Sequence, residues 1–245
     1  MKAARQHAGT VYRGTRPIVL SLAGVSRAYG EQQVLGPLDL DVSAGECVAL
    51  LGRNGSGKST LLRLAAGREE PSTGRVAFDG LPMSEDDPHI RSRVAVVGDP
   101  PACYPDLTVR QHLELVAVGH RVPEPQARID LALQTHRLTA RAAALPAELS
   151  SGQLQEMLLA AALLRPMDLL LLDEPEQRLD PAARERLAAR LAERRAAGTT
   201  LLLATHHRAL ARAVADRVLV LDRGVVTAEG PPGHVLPEEA DGDTT

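Results

Sequence analysis

Residues 47–67 read CVALLGRNGSGKSTLLRLAAG, and no other stretch limits the backbone so tightly. Five apolar residues predict a strand buried on both faces. Glycines at 52, 55 and 57 follow, each free to take a positive φ and to bring backbone close to another group. A helical pattern begins at once after them. A strand feeding such a turn lets the successive N–H groups of Asn54 to Lys58 converge on an anion, and the positive end of the helix adds to their field. Of 28 basic residues only Lys2 and Lys58 are lysine. Lysine has been kept where this chain otherwise uses arginine. A compact ammonium on a slender stem fits a phosphate nest that a planar guanidinium does not.

The spacing fits G-x-x-x-x-G-K-[ST] in the strand–turn–helix context the pattern requires. The expected nucleotide-binding loop is therefore Gly52, Arg53, Asn54, Gly55, Ser56, Gly57, Lys58, Ser59 and Thr60. Lys58 reaches the β- and γ-phosphates, and the Ser59 hydroxyl is a ligand for Mg²⁺.

Around this loop the chain alternates strand-like and helical patterns. Apolar runs at 18–25, 47–51, 75–79, 94–97, 169–172, 200–204 and 218–221 read as strands. Continuous apolar runs suit strands covered by helices on both faces, which makes the core a mostly parallel α/β sheet. Thr108 with Gln111 forms a capping-box pattern, and Asp180-Pro181 starts a helix that should stop at Gly198. No strand-like run falls between 108 and 168, so this stretch reads as an inserted helical subdomain. The expected organisation is a basic tail at 1–16, core at 17–107, helical subdomain at 108–165, core again at 166–230, and an acidic tail at 231–245.

Hydrophobic residues make up 44% and charged residues 24%, the balance of a soluble globular chain. The net charge of −3 gives no general reason to expect nucleic acid as a partner. Cys47 and Cys103 lack metal-ligand spacing and read as buried thiols in a reducing compartment. No apolar run approaches a membrane span and no secretory signal is visible, so the chain is expected in the cytosol, with any membrane role through a partner.

The run LLLLDEP at 169–175 is a second chemical feature. It ends an apolar strand in two carboxylates, at the edge where ligands sit in open α/β sheets. Asp173 suits Mg²⁺ through its waters, and Glu174 suits orienting an attacking water. A third, LSSGQ at 149–153, heads a helix whose N-terminus attracts an anion.

In that order the three features resemble the ATP-binding cassette (ABC) ATPase family, whose signature is LSGGQ, over residues 18–236. The resemblance implies a P-loop NTPase fold of the ABC-ATPase type, with an N-terminal antiparallel β region beside the core. It implies that Ser150, Ser151, Gly152 and Gln153 complete the γ-phosphate site of a second copy. Tyr29 falls where the family stacks an aromatic ring on adenine, Asp180 in the loop that crosses the dimer interface, and His206 where a histidine contacts γ-phosphate. Glu174, His206 and Lys58 are then the catalytic set, with ATP and Mg²⁺ as cofactors and Ser59 and Asp173 at the metal. His207 receives no role.

Three departures stand out. Ser151 replaces a signature glycine, and EPEQRLD is an unusual version of its loop. Asp99 takes the place of a glutamine six residues before Pro105, which adds a candidate acidic metal ligand. The surrounding VVGDPPACYPDLTV resembles a branch of mostly bacterial exporters. The expected function is the ATP-hydrolysing subunit of a membrane exporter. It would pair as a homodimer or with a second nucleotide-binding subunit, and act on separately encoded integral membrane subunits from the inner face of the membrane. Two alternatives compete with this reading. A soluble family member acting on nucleic acid or ribosomes generally needs a second cassette or a long coiled coil, for which this chain has no room. A non-hydrolysing regulator would not be expected to keep Lys58, Asp173, Glu174 and His206 together.

Overall fold

The computed structural model describes residues 16–98 and 103–236. Most of the N-terminal basic stretch, the end of the acidic one and Asp99 lie outside the described residues.

Two sheets share the chain. The smaller is antiparallel and runs β2-β1-β4-β5, built from β1 (Ile18–Tyr29), β2 (Gln32–Ser43), β4 (Thr73–Phe78) and β5 (Leu81–Pro82). The larger runs β10-β9-β3-β8-β7-β6. Here β3 (Cys47–Leu51), β6 (Val94–Val97), β7 (Leu169–Asp173), β8 (Thr200–Thr205) and β9 (Arg217–Asp222) are parallel, and β10 (Val225–Gly230) adds an antiparallel edge.

Side chains alternate between the two faces of the parallel strands, and this alternation divides the core in two. Val48, Leu50, Leu169, Leu171 and Leu202 point to one side, where α1 (Lys58–Ala65) lies between the sheets and packs Leu61, Leu62 and Leu64. Cys47, Ala49, Leu51, Leu170, Leu172 and Leu201 point to the other, against α5 (Ser151–Leu164), α6 (Pro181–Ala196) and α7 (Arg208–Val214). Burial pushes the Cys47 thiol up to about 12, so it serves as a core residue rather than a nucleophile. Cys103 is only half-buried, where the sequence suggested a buried thiol.

Between β6 and β7 the described residues hold helices and no strand: α3 (Val109–Gly119), α4 (Pro125–Thr135), two short 3₁₀ turns and α5. The Thr108–Gln111 capping box forms as the spacing suggests. A buried ion network joins this unit to the core. Glu156 of α5 meets His136, just past α4, at 2.6 Å and Arg190 of α6 at 2.9 Å. The stretch from Pro231, expected as an acidic tail, begins with α8 (Pro232–Val235) and buries Leu236 in the core. Among the described residues no helix is long and apolar enough to cross a membrane.

Candidate functional site

Three neighbouring parallel strands end on the same edge of the large sheet. Leu51 of β3 pairs with Thr205 of β8, and Ala204 of β8 pairs with Asp173 of β7. The loop after β3, the carboxylates ending β7 and the histidines after β8 are thereby brought together, though they lie far apart in the chain.

The loop is folded around the lysine. Lys58 is buried, and its ammonium donates to the carbonyls of Gly52 at 2.9 Å and Arg53 at 3.2 Å. Glu174 Oε1 lies 3.6 Å from the same nitrogen. Gly57, the residue before α1, has φ 104°, an angle that strains any side-chain-bearing residue, and a Cβ there would press on the Val34 carbonyl at 3.2 Å. No side chain caps the start of α1, whereas α3, α5 and α6 are capped by Thr108, Ser150 and Asp180. The first-turn N–H groups of α1 are left to an outside acceptor.

A cavity of about 310 Å³ opens at this point. It is lined by Asn54, Gly55, Gly57, Lys58, Ser59 and Thr60 from the loop and by Asp173 and Glu174 from β7. Val34 and Gln177, which the sequence did not single out, complete the lining. Ser56 is buried inside the loop, and its hydroxyl has no partner among the described residues.

The two carboxylates differ. Burial pushes the Asp173 pKa up, the neighbouring Ser59 hydroxyl opposes this, and Oδ1 has no partner among the described residues. Glu174 stands at φ 46°, a left-handed backbone that costs a side-chain-bearing residue about 1 kcal/mol. Its N–H donates to Ala204 O at 2.8 Å, so β8 holds the strained residue in place. The Glu174 carboxylate accepts from Gln177 and lies 3.4 Å from His206 Nδ1. His207 is the N-cap of α7, its Nδ1 accepting from Leu210 N.

Tyr29 stands outside the lining. Its hydroxyl donates to Glu69 at 2.6 Å, Arg27 covers its ring at 4.6 Å, and Arg63 links it to Thr60. Ser150 caps α5 in a reciprocal box with Gln153. Ser151 opens the helix without positive φ, so a serine there is unstrained. A Cβ on Gly152 would meet the Arg178 carbonyl at 2.9 Å, which fixes the start of α5 against the loop leading to Asp180. None of these four lines the cavity of its own chain.

Residues 35–177 match the family model for the ABC transporter. A Nod factor export ATP-binding protein of Rhizobium meliloti is 38% identical over 94% of this chain and 69% of its own length. The solved ATP-binding subunit of an ABC transporter superposes with a TM-score of 0.81 at 33% identity, covering 89% of this chain and 91% of that one. A bacterial ABC transporter cassette solved as a dimer gives 0.80 at 28% identity, covering 87% and 98%. The antiparallel sheet and the mostly parallel core with its helices are those of this family. The chain belongs to the ABC transporter family and is an ATP-binding, ATP-hydrolysing subunit of it.

Proposed function

We propose that the chain powers an exporter, with two copies closing on two Mg·ATP and driving integral membrane subunits from the inner face of the membrane. The observation that carries this reading is the meeting of Lys58, Asp173 and Glu174 in one cavity at the ends of adjacent strands, with His206 beside Glu174 at its edge and the signature residues of the same chain outside the lining. An α5 N-terminus capped by Ser150 and absent from the lining of that cavity suits a second copy, and a dimeric relative supports the pairing. Direction rests on the relatives named as export ATP-binding proteins.

The site fits Mg²⁺. Asp173 Oδ1 is a buried, unpartnered hard oxygen beside Ser59, and no group of three His, Cys, Asp or Glu that could hold a metal occurs among the described residues. A cation arriving with the phosphates and taking one carboxylate and one hydroxyl matches magnesium's habit. When bound, the ion would neutralise charge on the phosphate oxygens.

The residues of the chain do the rest. Loop N–H groups and Lys58 hold the β- and γ-phosphates. The γ-phosphate competes with Glu174 for the Lys58 ammonium, so nucleotide binding frees the Glu174 carboxylate. Glu174 then orients a water for in-line attack and takes its proton, and His206 donates to the transferring phosphoryl oxygen. Copurification from native membranes tests the proposal. The chain should bring down an integral membrane protein whose presence raises ATPase activity; recovery with ribosomes or nucleic acid instead would overturn it.

A further inference from the structure

Two residues beyond Glu174 the chain buries a third carboxyl. Glu176 is 2% exposed, and Oε2 has no hydrogen-bond partner among the described residues. Oε1 accepts from the hydroxyl of Thr205, which is fully buried at the end of β8. The same hydroxyl oxygen accepts the backbone N–H of His207 at 2.9 Å. A chain of two hydrogen bonds thus runs from the loop after β7 to the turn after β8. Glu174 and His206, 3.4 Å apart, lie alongside it, each one or two residues from an anchor. The charged groups facing Glu176 are these same two, His206 favouring its anion and Glu174 opposing it, while burial pushes its pKa up. Burying a half-satisfied carboxyl opposes folding, and an apolar side chain in the same place would not.

We propose that Glu176 is a positioning residue for ATP hydrolysis: through the Thr205 hydroxyl it fixes the turn that presents His206 to Glu174. The proposal rests on the reading of Glu174 and His206 as the hydrolytic pair. Without the Thr205 hydroxyl the His207 N–H loses that acceptor, and without Glu176 the hydroxyl loses the carboxylate that fixes it; the turn carrying His206 then keeps only the strand before it and the His207 cap of α7 after it. The ATP-holding loop around Lys58 makes no bond to either residue of the link, so binding should survive its loss.

Steady-state ATPase kinetics of Thr205→Val, Glu176→Ala, Glu176→Gln and His206→Ala test this, with Thr205→Val also made in the His206→Ala background. Valine matches threonine in shape and removes only the hydroxyl, which keeps the test open if Glu176→Ala fails to fold. Thr205→Val and Glu176→Ala should lower kcat about tenfold, with KM for ATP within about twofold. Glu176→Gln, whose amide oxygen still accepts from Thr205, should recover most of that loss. With His206 already removed, Thr205→Val should cost less than about twofold more, because both changes act on one interaction. A lower melting temperature with kcat intact in Thr205→Val would overturn the proposal, as would Glu176→Gln being as damaging as Glu176→Ala. If His206→Ala lowers kcat but the two losses multiply, the positioning role falls and the catalytic reading stands. If His206→Ala leaves kcat unchanged, the catalytic reading falls and takes this proposal with it.

Discussion

At the scale of single residues, Lys58 sits where shape matters as much as charge. Its ammonium already satisfies two loop carbonyls and one carboxylate from inside a nearly closed nest. Lys58→Arg keeps the charge and puts a planar fork where there is room for a point. ATPase kcat/KM should fall about a hundredfold or more, while circular dichroism stays that of the wild type. Unchanged kinetics would show that charge alone serves. Glu174→Gln asks the complementary question. The amide still hydrogen-bonds but is no base, so kcat should fall by about 10² or more while ATP binding, read by fluorescence titration, stays within about threefold. The strained backbone at Glu174 helps here, because Ala204 holds it through the N–H and leaves the side chain free to differ. A mutant that hydrolyses normally would remove Glu174 as the base.

At the scale of elements, the joint between the helical unit and the core links α4, α5 and α6 through His136, Glu156 and Arg190. Burial, chiefly, holds His136 below its ordinary 6.5, against the pull of Glu156. The folded joint therefore resists a proton that the unfolded chain accepts. Stability should be full above pH 6.5 and decline as pH falls below it, since the unfolded state then binds more protons. His112 and His120, also lowered by burial, act in the same window. Burial pushes Glu156 up, but hydrogen bonds from His136 and Arg190 bring it below 4.5, so its contribution is lost only at more acid pH. Melting followed by circular dichroism from about pH 7.5 to 5.5 should show the decline, with a shallower slope in His136→Gln; equal slopes would show that His136 does not titrate between the two states. Little of this joint was legible in the sequence, because its members come from three helices and none carries a motif. Strands covered on both faces were legible: β3 and β6 fall where continuous apolar runs place them. β2 and β10 carry no such run: β2 alternates buried and exposed residues, and β10 is an edge strand with no buried residue. The same divide runs through the site. The loop around Lys58 is a local spacing and could be read directly, whereas the Glu176–Thr205 contact spans 29 residues and exists only because β7 and β8 are neighbours.

At the scale of the whole molecule, the cavity around Lys58 and the start of α5 are separate features of one chain, and the proposed sandwich makes them two half-sites. The cavity holds Lys58 and the carboxylates, and the start of α5, with its exposed Ser151, lies outside it. If two copies supply one half-site each, defects placed in different halves should complement. Ser151→Glu suits the test because a glutamate is welcome in the first turn of a helix and sits on an exposed position, so the fold is spared. Its negative charge would face the γ-phosphate of the partner copy and repel it. Lys58→Ala disables the other half. Each variant alone should be inactive, since both of its sites contain the defect. In an equal mixture half of the dimers are mixed, and each of these pairs the intact loop of one copy with the intact signature of the other. With independent sites the mixture should recover about a quarter of the wild-type ATPase rate, rising with protein concentration as dimers form. A chain that worked alone would show no gain on mixing at any concentration. That outcome would remove the two-copy sandwich and, with it, the proposed role of the α5 N-terminus in the partner's site.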